Sequence, residues 1–176
     1  YAVGQFTGTA DFDPGVGVHN VDSILNQHGY ILKLDSNGDF VWVNDYAGDA
    51  VVMGDIVLDA SNNLYLTGWF MGTTDFDPGA GTLNVSPAGG ADSFLSKLDS
   101  NGNLIWLEHF GGIASDSGIA LALHNSSALY SVGQFGGTAD FDPGAGTANM
   151  TAVKYTDAYV HKFNLSADPV PTADTI

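Results

Sequence analysis

Short apolar runs follow one another along most of the chain, and Gly, Asn, Asp or Ser bounds each of them. The runs are rich in Val, Ile, Leu, Tyr, Phe and Trp, a composition typical of β-strands. No window of ten or more residues combines a 3.6-residue apolar period with helix-capping residues. The pattern therefore predicts an all-β chain, with helix only as stray turns.

A long repeat organises these runs. The segment 4–17, GQFTGTADFDPGVG, returns as 68–81, GWFMGTTDFDPGAG, and as 133–146, GQFGGTADFDPGAG. The first aspartates of the three copies are Asp11, Asp75 and Asp140. The period is therefore 64 and then 65 residues, long enough for one four-stranded unit with its turns.

Each complete unit has four runs. The central unit shows them at 56–58, 64–70, 94–98 and 104–107. Equivalent runs stand at 30–34, 40–43, 119–123, 129–135 and 159–163. Four antiparallel strands per unit is the pattern of a β-propeller blade, so we predict an all-β fold built of such blades.

The sequence Asp-Ser-Asn-Gly separates the third and fourth runs, at 35–38 and 99–102. Asn-Gly is the strongest short-range hairpin signal, because both residues accept positive φ. We therefore expect tight hairpin turns at Asn37-Gly38 and at Asn101-Gly102.

The hairpin motif resembles that of the SBBP family of bacterial β-propeller repeats, whose units carry Leu-Asp-x-x-Gly-Asn-x-x-Trp. The residues that carry the resemblance are Leu98, Asp99, Gly102, Asn103 and Trp106, and Leu34, Asp35, Gly38, Asp39 and Trp42. It covers nearly the whole chain up to about residue 166 and implies a propeller fold. Family members are mostly large secreted or surface proteins, so the resemblance implies an extracellular bacterial protein and says little about its activity.

The two tryptophans of this motif, Trp42 and Trp106, are in register, and we expect both in the core between neighbouring blades.

The order of the runs divides the chain into a partial blade at 1–48, a complete blade at 49–112 and a partial blade at 113–166. The tail 167–176 contains proline and lacks alternation, so it is expected to be a linker or a disordered end. The runs supply about two and a half blades, whereas a closed ring needs at least four. We therefore expect a fragment of a longer protein, whose other parts complete the propeller.

The charge excludes one class of partner. The formal net charge is −16, from 20 acidic residues and four lysines, and there is no arginine. Because phosphate contacts need Lys and Arg, nucleic acid and anionic lipid are not expected partners. No apolar stretch approaches the roughly 18 residues of a membrane span, and the absence of cysteine excludes disulfides and thiolate metal sites.

Three of the four lysines follow the repeat, at Lys33, Lys97 and Lys162. A lysine in register with recurrent aspartates favours an ion pair inside each blade, with the Asp-Phe-Asp carboxylates as candidate partners. A ligand contact is the alternative.

The Asp-Phe-Asp-Pro-Gly loops are the strongest chemical candidates. Two carboxylates two residues apart, followed by proline and glycines, fit a Ca²⁺ site, since Ca²⁺ takes six to eight oxygen ligands. The ligands would be Asp11, Asp13, Asp75, Asp77, Asp140 and Asp142. A metal-free turn, in which each carboxylate accepts backbone N–H groups, explains the same residues. Both interpretations stay open at this stage.

No catalytic constellation is evident. The five histidines do not recur at equivalent positions, and neither a metal-binding His spacing nor a Gly-x-Ser-x-Gly elbow occurs. Trp69 departs from the repeat, because its equivalents are Gln5 and Gln134. Its indole is either local packing or a platform on which a sugar stacks.

Two functions remain. The first is a non-catalytic secreted or cell-surface propeller for adhesion, partner binding or structural display, with a protein or glycan partner. The alternative is part of a secreted carbohydrate-active enzyme whose active residues lie outside this segment.

Overall fold

The computed structural model describes residues 1–125, 127–142, 144 and 146–165, without the side chains of residues 24 and 25. These residues contain twelve β-strands and no helix, which confirms the all-β prediction. The strands are β1 Ala2–Asp11, β2 Asn20–Leu34, β3 Phe40–Tyr46, β4 Ala50–Leu58, β5 Leu64–Met71, β6 Thr74–Asp75, β7 Asn84–Val85, β8 Asp92–Leu98, β9 Leu104–Gly112, β10 Ser117–His124, β11 Ala128–Asp140 and β12 Asn149–Asn164. No helix that could cross a membrane is found in this part of the chain. The tail predicted at 167–176 lies outside the described residues.

Antiparallel pairing groups the strands into three successive sheets. The first sheet contains β1, β2 and β3, the central sheet β4, β5, β8 and β9, and the third sheet β10, β11 and β12. Short bridges, Gln27 to Ala50 and 111–112 to 139–140, join them into one ten-stranded mixed sheet. Strands β6 and β7 form a separate two-stranded ribbon. The described residues do not close into a ring.

The predicted hairpin turns form. In the central sheet the N–H of Gly102 donates to the carbonyl of Asp99 at 3.0 Å, and Gly102 has a φ of 87°. Asn101 stays outside the positive-φ region, as does Asn37 in the equivalent turn. Only the glycine of each Asn-Gly pair therefore adopts positive φ, as in longer hairpin loops built around a type I turn.

An aspartate side chain holds each of these turns. Oδ1 of Asp99 accepts the N–H groups of Asn101 at 2.8 Å and Asn103 at 3.0 Å, and the Asn103 side chain donates to Oδ2 at 2.8 Å. The bond from the Asn103 side chain is the largest cause of a lowered Asp99 pKa, and the backbone bonds add to it. Oδ1 of Asp35 and Oδ1 of Asp59 each accept two backbone N–H groups in the same way. The motif therefore encodes a local turn.

Several strands run further than the apolar runs predicted. Strands β1 and β2, and likewise β11 and β12, extend as long hairpins to the Asp-Phe-Asp loop, each with one register shift. In the central unit the same hairpin is interrupted, and its outer part is the ribbon β6–β7. Glycines with positive φ stand at the equivalent position in all three units, Gly8, Gly72 and Gly137. Only glycine adopts this conformation at little cost, which explains its recurrence there.

The extra residue of the second period lies before β10. Leu58 pairs with Leu64 and Leu123 with Leu129, so the whole β4–β5 hairpin is 65 residues from the β10–β11 hairpin. Residue identity alone suggests a different match, since aligning Gly54 with Gly118 would place the extra residue inside the hairpin. With the corrected register, Asp116 occupies the position of Val51.

The sheets pack face to face through two apolar clusters, one between the first and central sheets and one between the central and third sheets. We call these the first interface and the second interface. Residues of the first interface and their equivalents in the second are Ile31 and Leu95, Trp42 and Trp106, Tyr46 and Phe110, Leu64 and Leu129, Phe70 and Phe135, Phe76 and Phe141, Phe94 and Tyr159, and Leu98 and Phe163. The first and second interfaces are therefore built from equivalent positions of successive units.

The tryptophans lie where the sequence placed them, with a difference in depth. Trp106 is 1% exposed inside the second interface. Trp42 is only partly buried and packs on the edge of the first interface.

Candidate functional site

The three Asp-Phe-Asp-Pro-Gly loops share one hydrogen-bond pattern. In the central loop, Oδ1 of Asp75 accepts the N–H of Asp77 at 3.0 Å and that of Leu83 at 2.8 Å. Oδ1 of Asp77 accepts the N–H of Gly79 at 2.8 Å. The other two loops repeat these bonds at the same distances through Asp11 and Asp13, and through Asp140 and Asp142. Backbone donors therefore take up one oxygen of each of the six carboxylates.

These bonds also favour the ionised carboxylates. The N–H of His19 is the largest cause of a lowered pKa at Asp11, and the N–H of Ala148 has the same effect at Asp140. At Asp11 and Asp140 the backbone hydrogen bonds therefore stabilise the charged form of the carboxylate.

The other residues of the motif have structural roles as well. Phe76 is fully buried in the first interface, and Phe12 and Phe141 are 8% and 6% exposed. The N–H of Phe76 donates to the carbonyl of Leu83 at 2.9 Å and closes the loop. A Cβ on Gly81 would collide with the Asp77 carboxylate, and Gly17 and Gly146 are in the same position. The motif is thus a turn that buries its phenylalanine, and in the second and third loops this residue lies between two sheets.

These backbone hydrogen bonds are the ones that the metal-free turn predicts. In the part of the chain that the structure describes, no three His, Asp or Glu side chains form a group that could hold a metal ion. Calcium binding by the six loop aspartates stays a prediction.

Aromatic side chains lie close to the amines of two recurrent lysines, Lys33 and Lys97. Nζ of Lys33 donates to the carbonyl of Ser100 at 2.7 Å and lies 5.3 Å from the centre of the Tyr1 ring. Nζ of Lys97 lies 5.4 Å from the centre of the Tyr65 ring. In the strand register, Lys33 also faces Trp42, Lys97 faces Trp106 and Lys162 faces Tyr130.

The ion pair expected between Lys33 and the Asp-Phe-Asp loop was therefore wrong. Lys33 instead links the first sheet to the turn of the central sheet, with a cation–π contribution from Tyr1. Asn44 supports the same link by donating to the carbonyl of Gly102 at 2.9 Å.

Sequence reasoning missed a recurrent histidine–aspartate pair, because its members are exchanged between units. In the first sheet Nδ1 of His28 lies 2.9 Å from Oδ2 of Asp45. The equivalent positions 64 residues later are Asp92 and His109, whose Oδ2 and Nδ1 are 3.5 Å apart. Comparing positions pairwise, rather than searching for repeated histidines, would have found this exchange.

Two buried carboxylates meet near the end of β9. Asp92 and Asp116 are 1% and 2% exposed, and a side chain on Gly111 would collide with both. Asp116 accepts the N–H groups of Gly112 at 2.8 Å and Gly136 at 3.0 Å, so it ties β9 to β11. Burial raises the pKa of Asp116, whereas each of these two hydrogen bonds lowers it by a smaller amount. The charge of Asp92 also raises it.

Only one of the two carboxylate oxygens of Asp92 accepts a hydrogen bond. Its Oδ2 accepts the N–H of Ala88 at 3.0 Å, whereas its buried Oδ1 has no hydrogen-bond partner. In the third unit Asp157 accepts the N–H of Val153 at 2.9 Å in the same way. The recurrent role of this position is therefore to hold the preceding loop.

Because Glu108 is buried, we expect the free energy of unfolding to depend on pH. Burial raises its pKa from 4.5 to about 7, with His109 opposing the shift and Asp142 adding to it. Between these pH values the folded protein keeps a proton that the unfolded chain loses, so stability should fall as pH rises through this window. Urea unfolding at about pH 5 and about pH 8 should show a smaller fall in Glu108→Gln than in the native protein. An identical fall in both proteins would show that Glu108 titrates normally.

A cavity of about 320 Å³ opens between the central and third sheets. Its lining residues are Trp69, Met71, Ala91, Ser115, Asp116, Ser117, Gln134 and Thr156. Trp69 is partly exposed there, and Met71 is 43% exposed. The indole that departs from the repeat therefore faces an accessible space with polar neighbours.

Comparison with protein-family models finds no match, and no curated protein matches the chain. The geometry of the described residues therefore carries the functional argument.

Proposed function

We propose that this chain is a segment of a β-propeller in a secreted or cell-surface bacterial protein, where it serves adhesion, partner binding or structural display without catalysis. The observation that carries the proposal is the interface used twice between successive sheets. A propeller is one such interface repeated around a ring. The resemblance to SBBP repeats supports the same architecture and location.

Exposed apolar residues on the third sheet support the presence of further blades in the parent protein. Thr67 and Leu95 form a cross-strand pair in the central sheet, and both are fully buried. The equivalent pair in the third sheet, Val132 and Val160, is 36% and 72% exposed. In the first and central sheets the equivalent positions are covered by the next sheet along the chain. We therefore propose that another sheet covers Val132 and Val160. Other parts of the parent chain would supply it.

Cysteine labelling tests this proposal, because the chain has no cysteine of its own. In the protein as assembled in its natural host, Val160→Cys should react with a maleimide at least about tenfold more slowly than Val16→Cys. Val16 is fully exposed in a loop and serves as the control. Equal labelling rates would show that the third sheet is the end of the assembly.

The polar groups of the described residues favour a role without catalysis. The loop carboxylates accept backbone hydrogen bonds, and the acid pair Asp92 and Asp116 is sealed from solvent. The loop carboxylates make the same bonds in all three units, whereas an active site would break this symmetry.

The alternative is a carbohydrate-active enzyme whose active residues lie outside this segment. Assays with p-nitrophenyl glycosides should show no turnover by the 176-residue protein. The same assay on a longer parent protein distinguishes the two proposals, since turnover there would favour the enzyme.

Calcium separates the two interpretations of the loops. If the loops are hydrogen-bonded turns, the melting temperature should be the same with millimolar Ca²⁺ and with chelator. A bound ion would instead stabilise the fold by about 2.7 kcal/mol at a hundredfold excess over its dissociation constant. Asp77→Asn, which keeps an acceptor oxygen but removes the charge, is the matched control. A rise in melting temperature that this substitution reduces would establish the calcium site.

A further inference from the structure

We propose that the cavity between the central and third sheets binds an uncharged sugar ring, such as one unit of a glycan. The inference rests on the binding role proposed above and names its ligand class. The cavity itself is formed entirely by described residues of the central and third sheets, so it does not require a closed ring.

Two departures from the repeat meet in this cavity. Trp69 stands where the other units have Gln5 and Gln134, and Asp116 stands where the central unit has the fully buried Val51. The second interface also has Gly118 and Ser131 where the first has Met53 and Leu66. The first interface packs without an indole or a carboxylate at the positions of Trp69 and Asp116.

The lining has the chemistry that a sugar needs. A pyranose offers a face of C–H groups and a rim of hydroxyls, and an aromatic ring stacks on such a face while polar groups bind the rim. Trp69 provides the aromatic surface, extended by Met71. Gln134 and Thr156 provide neutral donors and acceptors.

Asp116 shapes the wall of the cavity. Its two oxygens each accept one backbone N–H, and the residue is only 2% exposed. Contacts with a ligand therefore fall to Trp69, Gln134 and Thr156.

Charge narrows the ligand class further. The lining contains no lysine, arginine or histidine, and the whole chain carries −16, so an anionic ligand would lack a countercharge. A quaternary ammonium group is recognised by a cage of aromatic rings. Here one indole stands among hydroxyl and amide groups, an arrangement that suits hydroxyls better.

Titration with methyl glycosides tests the inference. The probes are the methyl glycosides of glucose, galactose, mannose and N-acetylglucosamine, and the signal is the indole N–H resonance of Trp69 in NMR spectra of the 176-residue protein. At least one probe should give a saturable shift below about 50 mM. Trp69→Gln, which restores the residue of the other repeats, should weaken binding about tenfold when followed by the backbone resonances around Gln134.

Two further variants keep the test independent of folding. Thr156→Val removes one hydroxyl from an exposed position and should weaken binding about threefold. Gln5→Trp places an indole at the equivalent position of the first sheet, opposite a unit that has valine instead of Asp116, and should create no second site. Circular dichroism must show each variant folded.

Three outcomes would overturn the sugar site. These are no saturable shift with any glycoside, unchanged binding in both Trp69→Gln and Thr156→Val, or saturation by tetramethylammonium alone. None of them affects the labelling of Val160→Cys, so the sugar site and the propeller assembly fail separately.

Discussion

Replacing Trp106 with alanine should lower the free energy of unfolding by about 3 to 5 kcal/mol. The indole is 1% exposed and packs within the second interface, where its cluster includes Leu95, Phe110 and Phe163. Removing it leaves a cavity between two sheets, and neither sheet can collapse without disturbing its own strand pairing. Urea denaturation followed by circular dichroism measures the loss.

Trp42→Ala is the matched control, because Trp42 occupies the equivalent position but is only partly buried. Its loss should be clearly smaller than that of Trp106→Ala, since less apolar surface leaves water at this site. A loss below about 1 kcal/mol for Trp106→Ala would place the indole at the surface and contradict the second interface.

Phe76→Ala should cost a similar amount, about 3 to 5 kcal/mol, although it lies in a loop. Its ring is fully buried, with centroids 5.0 Å from Phe70, 5.1 Å from Phe94 and 5.7 Å from Tyr46. Edge-to-face and tilted contacts of this kind add to the burial of apolar area. Loop residues ordinarily tolerate substitution, so this result would identify the loop as part of the core.

Phe12→Ala provides the comparison within the same motif. Phe12 contacts Phe6 and Tyr30 of its own sheet and belongs to neither the first nor the second interface. Its substitution should therefore destabilise less than Phe76→Ala in the 176-residue protein. Equal losses would show that the loop phenylalanines stabilise their own sheets and not the packing between them.

Local chemistry made the strands and turns predictable from sequence. Apolar runs of the right length and Asn-Gly turns between them are short-range signals, and the repeat supplied each of them more than once. The burial of Phe76 was not predicted, whereas the position of Trp106 in the core followed from register and residue type. The turn backbone at Asn101 did not, because Asn tolerates both signs of φ and only the surrounding hydrogen bonds select one.

Contacts between sheets were the part that sequence reasoning could not supply. The amine of Lys33 finds its carbonyl acceptor 67 residues away, and Leu121 donates its N–H to Asp55 at 2.8 Å across two sheets. Such partners depend on how sheets pack, and residue spacing does not encode that. The cavity beside Trp69 could not be predicted from sequence for the same reason. Its walls come from both sheets, and the insertion before β10 had hidden the change from Val51 to Asp116.

The exchanged histidine–aspartate pairs have a consequence for folding. The units are so alike that a strand could join the hairpin of the wrong copy, a common error of tandem repeats. If β2 paired with β9, His28 would lie diagonally beside His109, and if β8 paired with β3, Asp92 would lie beside Asp45. Both pairings would lose the histidine–aspartate contact, and the second would bring two carboxylates together. Correct pairing within each unit is therefore favoured over shuffling between copies, and the exchange gives two nearly identical hairpins different partners.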